Sequence, residues 1–234
     1  MFGEPSGASN LIIGYKGSLR LHLTFYTAGG HSAAPWLSAS SYEESSLFWT
    51  AFQKQFLRND GKSKFEAVTG CVTNVISDGP GNSVPAETTM DIDVRTPPGV
   101  KPEELGRDVR EFTSRYAAER EGARVELRID DQTGAFLGSS ESQALAVFRW
   151  AIRRVLGSQV ALLRKTGTGD VNLYAENRPI PMFAYGPGDS RLDHTNEERI
   201  SLQEYLASIE VYAQALPRIA ERANQSEILP TAVK

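Results

Sequence analysis

The sequence has few of the residues on which several protein classes depend. Its 234 residues include one cysteine, Cys71, and three histidines. A single cysteine excludes an internal disulfide framework and an all-cysteine metal site. Lysine and arginine together number 25 against 29 acidic residues, and no basic cluster is present. A nucleic-acid partner is therefore not expected.

Long apolar runs are also missing. No run approaches the roughly 18 residues that a membrane span requires, and the first residues have neither the basic nor the apolar segment of a secretory signal. Hydrophobic residues nevertheless make up 40% of the chain, which is sufficient for a core. We therefore expect a globular, cytoplasmic protein of mixed α/β structure that has no membrane partner.

The region 17–130 has the pattern of a two-layer domain. Alternating apolar residues predict strands from Gly17, from about Phe65 to Ile76, from Met90 to Val94 and from Val125 to Ile129. Helical spacing after Ser40 and after Pro102 predicts two helices. The order β-α-β-β-α-β predicts an antiparallel sheet with both helices on one face. Cys71 is interpreted as a small buried side chain within this domain.

Residues 1–16 and 131–234 are assigned to a second, helix-covered α/β domain. Its predicted elements are a helix from about Ser142 to Leu156, a strand over 160–163, a helix after the loop Lys165–Asp170, a strand over 181–185 and a last helix capped by Ser201. The apolar stripe of the last helix consists of Leu202, Leu206, Ile209, Ala213, Leu216 and Ala220. Two or three short strands would be poorly covered, so we expect this domain to be incomplete. Residues from about Asn224 onward are expected to be loosely held.

The three histidines lie in different contexts. His22 falls within a strand opposite the leucines, which favours a partly exposed structural role. His31 lies in a glycine-rich loop, where a functional role and a structural one both remain open. His194 follows a strand and a turn, with Asp193 beside it, so its imidazole could bind a metal whose ligands are oriented by neighbouring carboxylates.

Two motifs imitate other chemistries. Gly188-Asp189-Ser190 resembles an esterase nucleophile motif, but Asp193 and His194 follow it too closely and are adjacent to each other. No Gly-x-Ser-x-Gly segment is present, which argues against a serine hydrolase. The glycines at 167 and 169 are not followed by the lysine that a phosphate-binding loop requires.

Seven segments, taken in order, resemble landmarks of the M20 family of zinc-dependent peptidases and deacylases. They are Gly3-Glu4-Pro5-Ser6, Gly14-Tyr15-Lys16-Gly17, Gly30-His31-Ser32-Ala33-Ala34-Pro35, Asn82-Ser83-Val84-Pro85, Asp93-Val94-Arg95, Thr166-Gly167-Thr168 and Leu192-Asp193-His194-Thr195. The stretch Tyr185–Thr195 is most similar to hydrolases of lysine and ornithine biosynthesis, which act on an amino-group carrier protein or an N-acyl precursor.

The resemblance implies a role for each matching residue. Glu4 and His194 would each bind one of two zinc ions, with cobalt as an alternative metal. His31 would stabilise the oxyanion in the site of a second protomer, across a homodimer formed by the 17–130 domain, which is a lid. The implied substrate-binding residues are Asn82, Arg95, Gly167 and Thr168. Gly169 stands where we expect serine.

The family's remaining metal ligands and its general base have no counterpart in the sequence, since they lie upstream of Gly-Glu-Pro-Ser. We therefore expect the chain to be the C-terminal part of a binuclear zinc amidohydrolase acting on an N-acylated basic amino acid. The chain alone should be inactive, and a separate N-terminal half is one source of the missing ligands. The alternative is a non-catalytic dimerisation or interaction module.

Each implied role has a structural alternative. Glu4 could be a solvated carboxylate in a turn, and Asn82 could serve only its turn. Arg95 could pair with Asp93 or another surface acid.

Overall fold

The computed structural model describes residues 1–57, 59, 61–176, 178 and 180–224, and it divides them into two units. The central unit contains Lys16–Ala135 and Thr166–Thr168, where the sequence predicted a domain over 17–130. The terminal unit contains Met1–Tyr15, Phe136–Lys165 and the described residues from Gly169 onward. Each unit has its own sheet and core.

The chain forms nine strands and five α-helices within the described residues. The strands are β1 (Asn10–Tyr15), β2 (Gly17–Tyr26), β3 (Gly30–His31), β4 (Thr69–Ser77), β5 (Ser83–Val84), β6 (Glu87–Thr96), β7 (Arg124–Thr133), β8 (Phe136–Leu137) and β9 (Ala161–Lys165). The helices are α1 (Ser41–Phe56), α2 (Pro102–Ala118), α3 (Gln143–Leu156), α4 (Asp170–Ala175) and α5 (Leu202–Asn224).

The central unit is a four-stranded antiparallel sheet in the order β4-β6-β2-β7. Alternation works as predicted, because Leu19, Leu21 and Leu23 of β2 are buried while Arg20 is exposed. The buried face packs against α1 and α2. The predicted β-α-β-β-α-β order and the mixed α/β fold class are confirmed.

Aromatic side chains form the centre of this core. Phe48 of α1 is fully buried, with its ring centroid 5.4 Å from that of Phe25 and 5.2 Å from that of Tyr116. Both contacts are edge-to-face, the arrangement that aromatic quadrupoles favour. Phe52 and Phe112 extend the same cluster. Strand and helices are thus joined by one aromatic contact network.

The terminal unit is built on a three-stranded sheet in the order β8-β1-β9. β1 runs parallel to β9 and antiparallel to β8, so the sheet is mixed. Its core includes Leu11 of β1, Phe148 of α3 and Val211 of α5. The left-handed residue Gly157, with φ of 63°, ends α3, as glycine permits without steric cost.

Three structural expectations are wrong in detail. The predicted strand over 65–76 begins only at Thr69, because the preceding residues form a turn in which Ala67 N–H donates to Ser63. Residues 181–185 form single bridges at Ala184 instead of a regular strand. Cys71 is exposed because it lies on an edge strand, opposite Asp93 on the polar face.

The apolar stripe of the last helix is also placed unexpectedly. Leu202, Leu206, Ile209 and Leu216 are exposed, whereas Val211 of the same helix is buried. None of the described helices is both long enough and apolar enough to span a membrane. The expectation of a loose C-terminus concerns residues 225–234, which lie outside the described residues.

Candidate active site

In the terminal unit, the Gly-Glu-Pro-Ser segment lies directly beside the chain that leads to His194. Ser6 N–H donates to Gly186 O at 3.0 Å, and Gly7 N–H donates to Gly188 O at 2.9 Å. A Cβ at Gly186 would stand 2.8 Å from the Glu4 carbonyl oxygen, so only glycine allows this approach. The fold thereby holds the backbone of Glu4 against the segment that precedes Asp193 and His194.

The Glu4 carboxylate is half-buried among further charges. Burial raises the pKa of Glu4; Lys165 opposes that shift, while Asp170 and Asp193 add to it. Lys165 donates to the Pro5 carbonyl at 2.5 Å, and burial lowers the pKa of this lysine. Three carboxylates thus act on one region that contains one partly buried ammonium. Such a region favours a further positive charge.

The Tyr15 hydroxyl belongs to the same region, and the sequence did not single it out. It is buried and has no hydrogen-bond partner among the described residues. Burial raises the pKa of Tyr15, and Glu4 and Asp193 raise it further. The Tyr15 ring carbon Cε1 and Glu4 Oε1 lie 3.4 and 3.7 Å from the point where a side chain at Gly169 would begin. A phenolic donor therefore stands near the candidate metal carboxylate.

His194 lies in a turn with an unusual backbone. Its φ of 63° is left-handed, a region that residues other than glycine seldom adopt. Its N–H donates to Glu198 Oε2 at 3.0 Å, which helps to hold the turn. The imidazole is exposed. Strained backbone of this kind often accompanies functional positions, which suits the predicted role of His194.

Residues within the described ranges do not complete a metal centre. No group of three or more histidine, cysteine, aspartate or glutamate side chains in them is arranged to hold a metal ion. Glu4 and His194 are carboxylate and imidazole donors of the types that zinc accepts. Two donors fall short of a catalytic zinc site, so we derive no reaction step through a metal held by this chain alone.

In the central unit, the structure brings two predicted site residues together. β3 and β5 pair His31 with Ser83, and Ser32 N–H donates to Asn82 O at 3.0 Å. Ala33 N–H donates to His31 Nδ1 at 3.0 Å. Since Nδ1 is an acceptor, the hydrogen-bond pattern assigns the proton of the neutral ring to Nε2. Exposed His31 can therefore offer an Nε2–H donor.

Arg95 and Thr168 also meet within the central unit. Arg95 Nε lies 2.7 Å from Asp93 Oδ1, and Nη2 donates to Asp93 Oδ2 at 2.8 Å. Nη1 donates to Thr168 Oγ1 at 2.9 Å, and that hydroxyl donates to Lys16 O at 2.8 Å. The alternative pairing of Arg95 with Asp93 is present. A guanidinium has five N–H groups, so these three contacts leave capacity for a substrate carboxylate.

Lys16 supports this arrangement and was not predicted from the sequence. Its ammonium donates to Ala67 O at 2.7 Å, to Thr69 Oγ1 at 2.7 Å and to Lys64 O at 3.1 Å. Burial, with a smaller contribution from Arg95, lowers the pKa of Lys16 to about 8. Its place in the Gly-Tyr-Lys-Gly motif was noted, but nothing in the spacing indicates burial.

The loop glycines differ in their surroundings. A side chain at Gly167 would meet no atom within 4 Å. Gly169 precedes α4 and donates its N–H to Asn172 Oδ1 at 3.0 Å. A Cβ at Gly169 would make only ordinary contacts at 3.4 Å or more, so the structure would accept the serine that the family resemblance led us to expect.

Comparison with protein families identifies the central unit. Residues 13–121 match the model of the M20 peptidase dimerisation domain. This segment is an M20 dimerisation domain. His31, Asn82 and Arg95 all fall within it.

Curated relatives of the chain carry one kind of activity in their names. The chain is 32% identical to a LysW-lysine hydrolase from Deinococcus radiodurans over 94% of its length and 59% of that protein. It is 25% identical to a LysW-lysine/LysW-ornithine hydrolase from Saccharolobus solfataricus, over 94% of the chain and 58% of that protein. The chain thus spans less than two thirds of either relative.

Solved structures with similar folds extend well beyond the M20 dimerisation domain. An aminopeptidase PepT from Bacillus cereus matches 94% of the chain with a TM-score of 0.72 at 15% identity, and the match covers 56% of that protein. A tripeptidase from Staphylococcus aureus matches 93% of the chain with a TM-score of 0.74 at 14% identity, also over 56% of its own length. At these identities the similarity shows the fold alone.

Proposed function

We propose that this chain supplies the dimerisation domain and part of the catalytic domain of a binuclear zinc amidohydrolase. Its substrate would be an N-acylated basic amino acid of the lysine or ornithine type, free or linked to a carrier protein, in amino-acid biosynthesis. The observation that carries the proposal is the similarity to LysW-lysine hydrolases along 94% of the chain. The protein would act in the cytoplasm as a homodimer.

The residues of the terminal unit support a metal-binding role. Glu4 and His194 would contribute one ligand each, and bound zinc would supply a Lewis acid and an activated water. The carboxylates of Asp170 and Asp193 raise the pKa of Glu4, and a nearby cation would reverse that effect. The buried Tyr15 hydroxyl could donate a hydrogen bond within the same region.

The residues of the central unit support substrate recognition. His31 of one protomer would offer its Nε2–H to the oxyanion that forms in the other protomer's site, where such a donor is worth a few kcal/mol of barrier. Arg95 would bind the substrate's carboxylate with its remaining N–H groups, because a guanidinium matches a carboxylate in shape and charge. Asn82, Gly167 and Thr168 would contact the substrate's polar backbone.

The complete centre requires ligands beyond those that this chain provides, so the isolated chain should not hydrolyse its substrate. The test is to titrate the purified chain with zinc by calorimetry and to assay release of lysine from N-acetyl-lysine. We expect less than two equivalents of zinc bound and no turnover. Binding of two equivalents together with turnover would contradict the proposed inactivity.

A non-catalytic dimerisation module is the second candidate. It is favoured by the absence of a three-residue metal cluster from the described ranges and by the match to a dimerisation domain. The two candidates differ in one measurement. If Glu4→Gln and His194→Ala leave the zinc affinity of the chain unchanged, the module is the better description.

A further inference from the structure

Helix α5 carries an apolar stripe that the terminal unit does not use. We call Leu202, Leu206, Ile209, Ala213 and Leu216 the outer stripe. At 100° per residue these positions share one face of the helix over a length of about 21 Å. Leu202 is 70% exposed, Leu206 64%, and Ile209 and Leu216 49% each. Ala213 is exposed as well.

The opposite face of α5 already forms the core of the unit. Val211 and Ala215 are fully buried, and Tyr212 and Ile219 pack against the same cluster. α5 therefore has two apolar faces, one in use and one uncovered. A helix that is apolar on both sides is typical of a helix enclosed on both sides. A contiguous exposed apolar surface indicates a site of protein contact.

The comparisons indicate what the outer stripe contacts. More than two fifths of the length of the curated relatives has no counterpart in this chain, since the match covers 59% of one and 58% of another. The dimerisation-domain model matches one continuous segment, residues 13–121, nearly all of which lies in the central unit. The uncovered stripe belongs to the terminal unit, where the proposed metal centre also lacks ligands.

We propose that the outer stripe is the docking surface for a further protein segment, equivalent to the part of the longer relatives that this chain does not match. That segment would place a complementary apolar face on Leu206 and its neighbours. The inference rests on the proposed function in one respect, because the same segment would supply the missing metal ligands. Docking itself requires neither metal nor substrate.

The experiment uses the unmatched segment of the Deinococcus radiodurans relative as its probe. The segment is co-expressed with the full chain, and the affinity of the purified partners is measured by calorimetry without zinc. Leu206→Glu places a charge at the centre of the outer stripe, and Leu216→Glu places one near its end. Gln203→Glu is the matched control, since Gln203 is exposed on the same helix outside the stripe. Circular dichroism verifies that each variant is folded.

We expect one-to-one binding by the wild type and by Gln203→Glu, and at least tenfold weaker binding by Leu206→Glu and Leu216→Glu. Absence of binding by the wild type, or equal affinity of all variants, would overturn the inference. So would sedimentation data in which Leu206→Glu abolishes self-association of the chain, because the stripe would then contact a second copy. A tight complex that fails to release lysine in the presence of zinc would contradict only the proposed function.

Discussion

The central and terminal units differ in how completely they cover their apolar residues. In the central unit, the leucines of β2 and the aromatic residues of α1 and α2 close one core around Phe48. In the terminal unit, α3 and one face of α5 form a core around Phe148, while the outer stripe stays exposed. The difference indicates that the central unit satisfies its own packing, whereas the terminal unit retains a surface typical of an interface.

The largest effect should come from the aromatic core of the central unit. Phe48→Ala should lower the free energy of unfolding of that unit by about 3–5 kcal/mol, because a buried ring is lost and a cavity remains. Leu47→Ala, at the neighbouring exposed position, should change it by about 0.5 kcal/mol or less. Amide hydrogen exchange of β2 and β6 measures both. Equal losses for the two variants would contradict the assignment of this core.

A smaller effect should arise where the Glu4 segment meets Gly186. Gly186→Ala would place a Cβ 2.8 Å from the Glu4 carbonyl oxygen, so the backbone must shift. We expect a loss of about 1–3 kcal/mol in the free energy of unfolding of the terminal unit, measured by urea denaturation. Gly167→Ala is the control, since its Cβ would meet nothing within 4 Å. A neutral Gly186→Ala would show that the close approach does not hold the site.

Lys16 should give the central unit a distinctive pH dependence. Burial lowers its pKa to about 8, below the ordinary value of 10.5, so the unfolded chain binds more protons between these two pH values. Stability should therefore rise with pH across that window. When neutral, the amine can still donate to the two carbonyls and accept from Thr69. The free energy of unfolding, measured from pH 7 to 11, should show a smaller rise in Lys16→Met than in the wild type.

The control for this pH series is Lys101→Met, because the Lys101 side chain is exposed. It should keep the full wild-type slope. Should Lys16→Met show that slope as well, other groups must be responsible for the pH dependence.

The smallest effect is expected on the outer stripe itself. Leu206→Ala should change the free energy of unfolding of the terminal unit by about 0.5 kcal/mol or less, because this side chain packs little in the chain alone. Ile152→Ala in the same unit should cost about 2–5 kcal/mol, since Ile152 is fully buried. Exchange protection of β1 amides measures both variants. A large loss for Leu206→Ala would remove the contrast between the two units.

The elements of the central unit followed closely from the sequence because their patterns are local. Leu19 to Leu23 alternate with polar residues, and a sheet with one buried face requires that alternation. The terminal unit was harder to predict. β1 was missed because its continuous apolar run has no period, and 181–185 forms only bridges because proline and glycine interrupt its pairing. The exposure of Cys71 depended on β4 being an edge strand, which no local pattern reveals.

The candidate site shows the same division. His31, Asn82, Arg95 and His194 could be named from motifs, since motifs record residue types in order. Lys16 and Tyr15 could not, because their importance comes from burial and from neighbours that are distant in the chain. The pairing of Arg95 with Asp93 was considered from the sequence, whereas its contact with Thr168 required the folded chain.

By itself, the sequence determined the mixed α/β class, the β-α-β-β-α-β order of the central unit and the identity of the residues that resemble the M20 landmarks. Periodicity and short motifs are properties of neighbouring residues, so they can be read without a fold. Only the tertiary structure decided that Glu4 lies against Gly186, that the Lys16 ammonium is buried, and that α5 turns its leucines outward. These depend on which distant segments exclude water from each other.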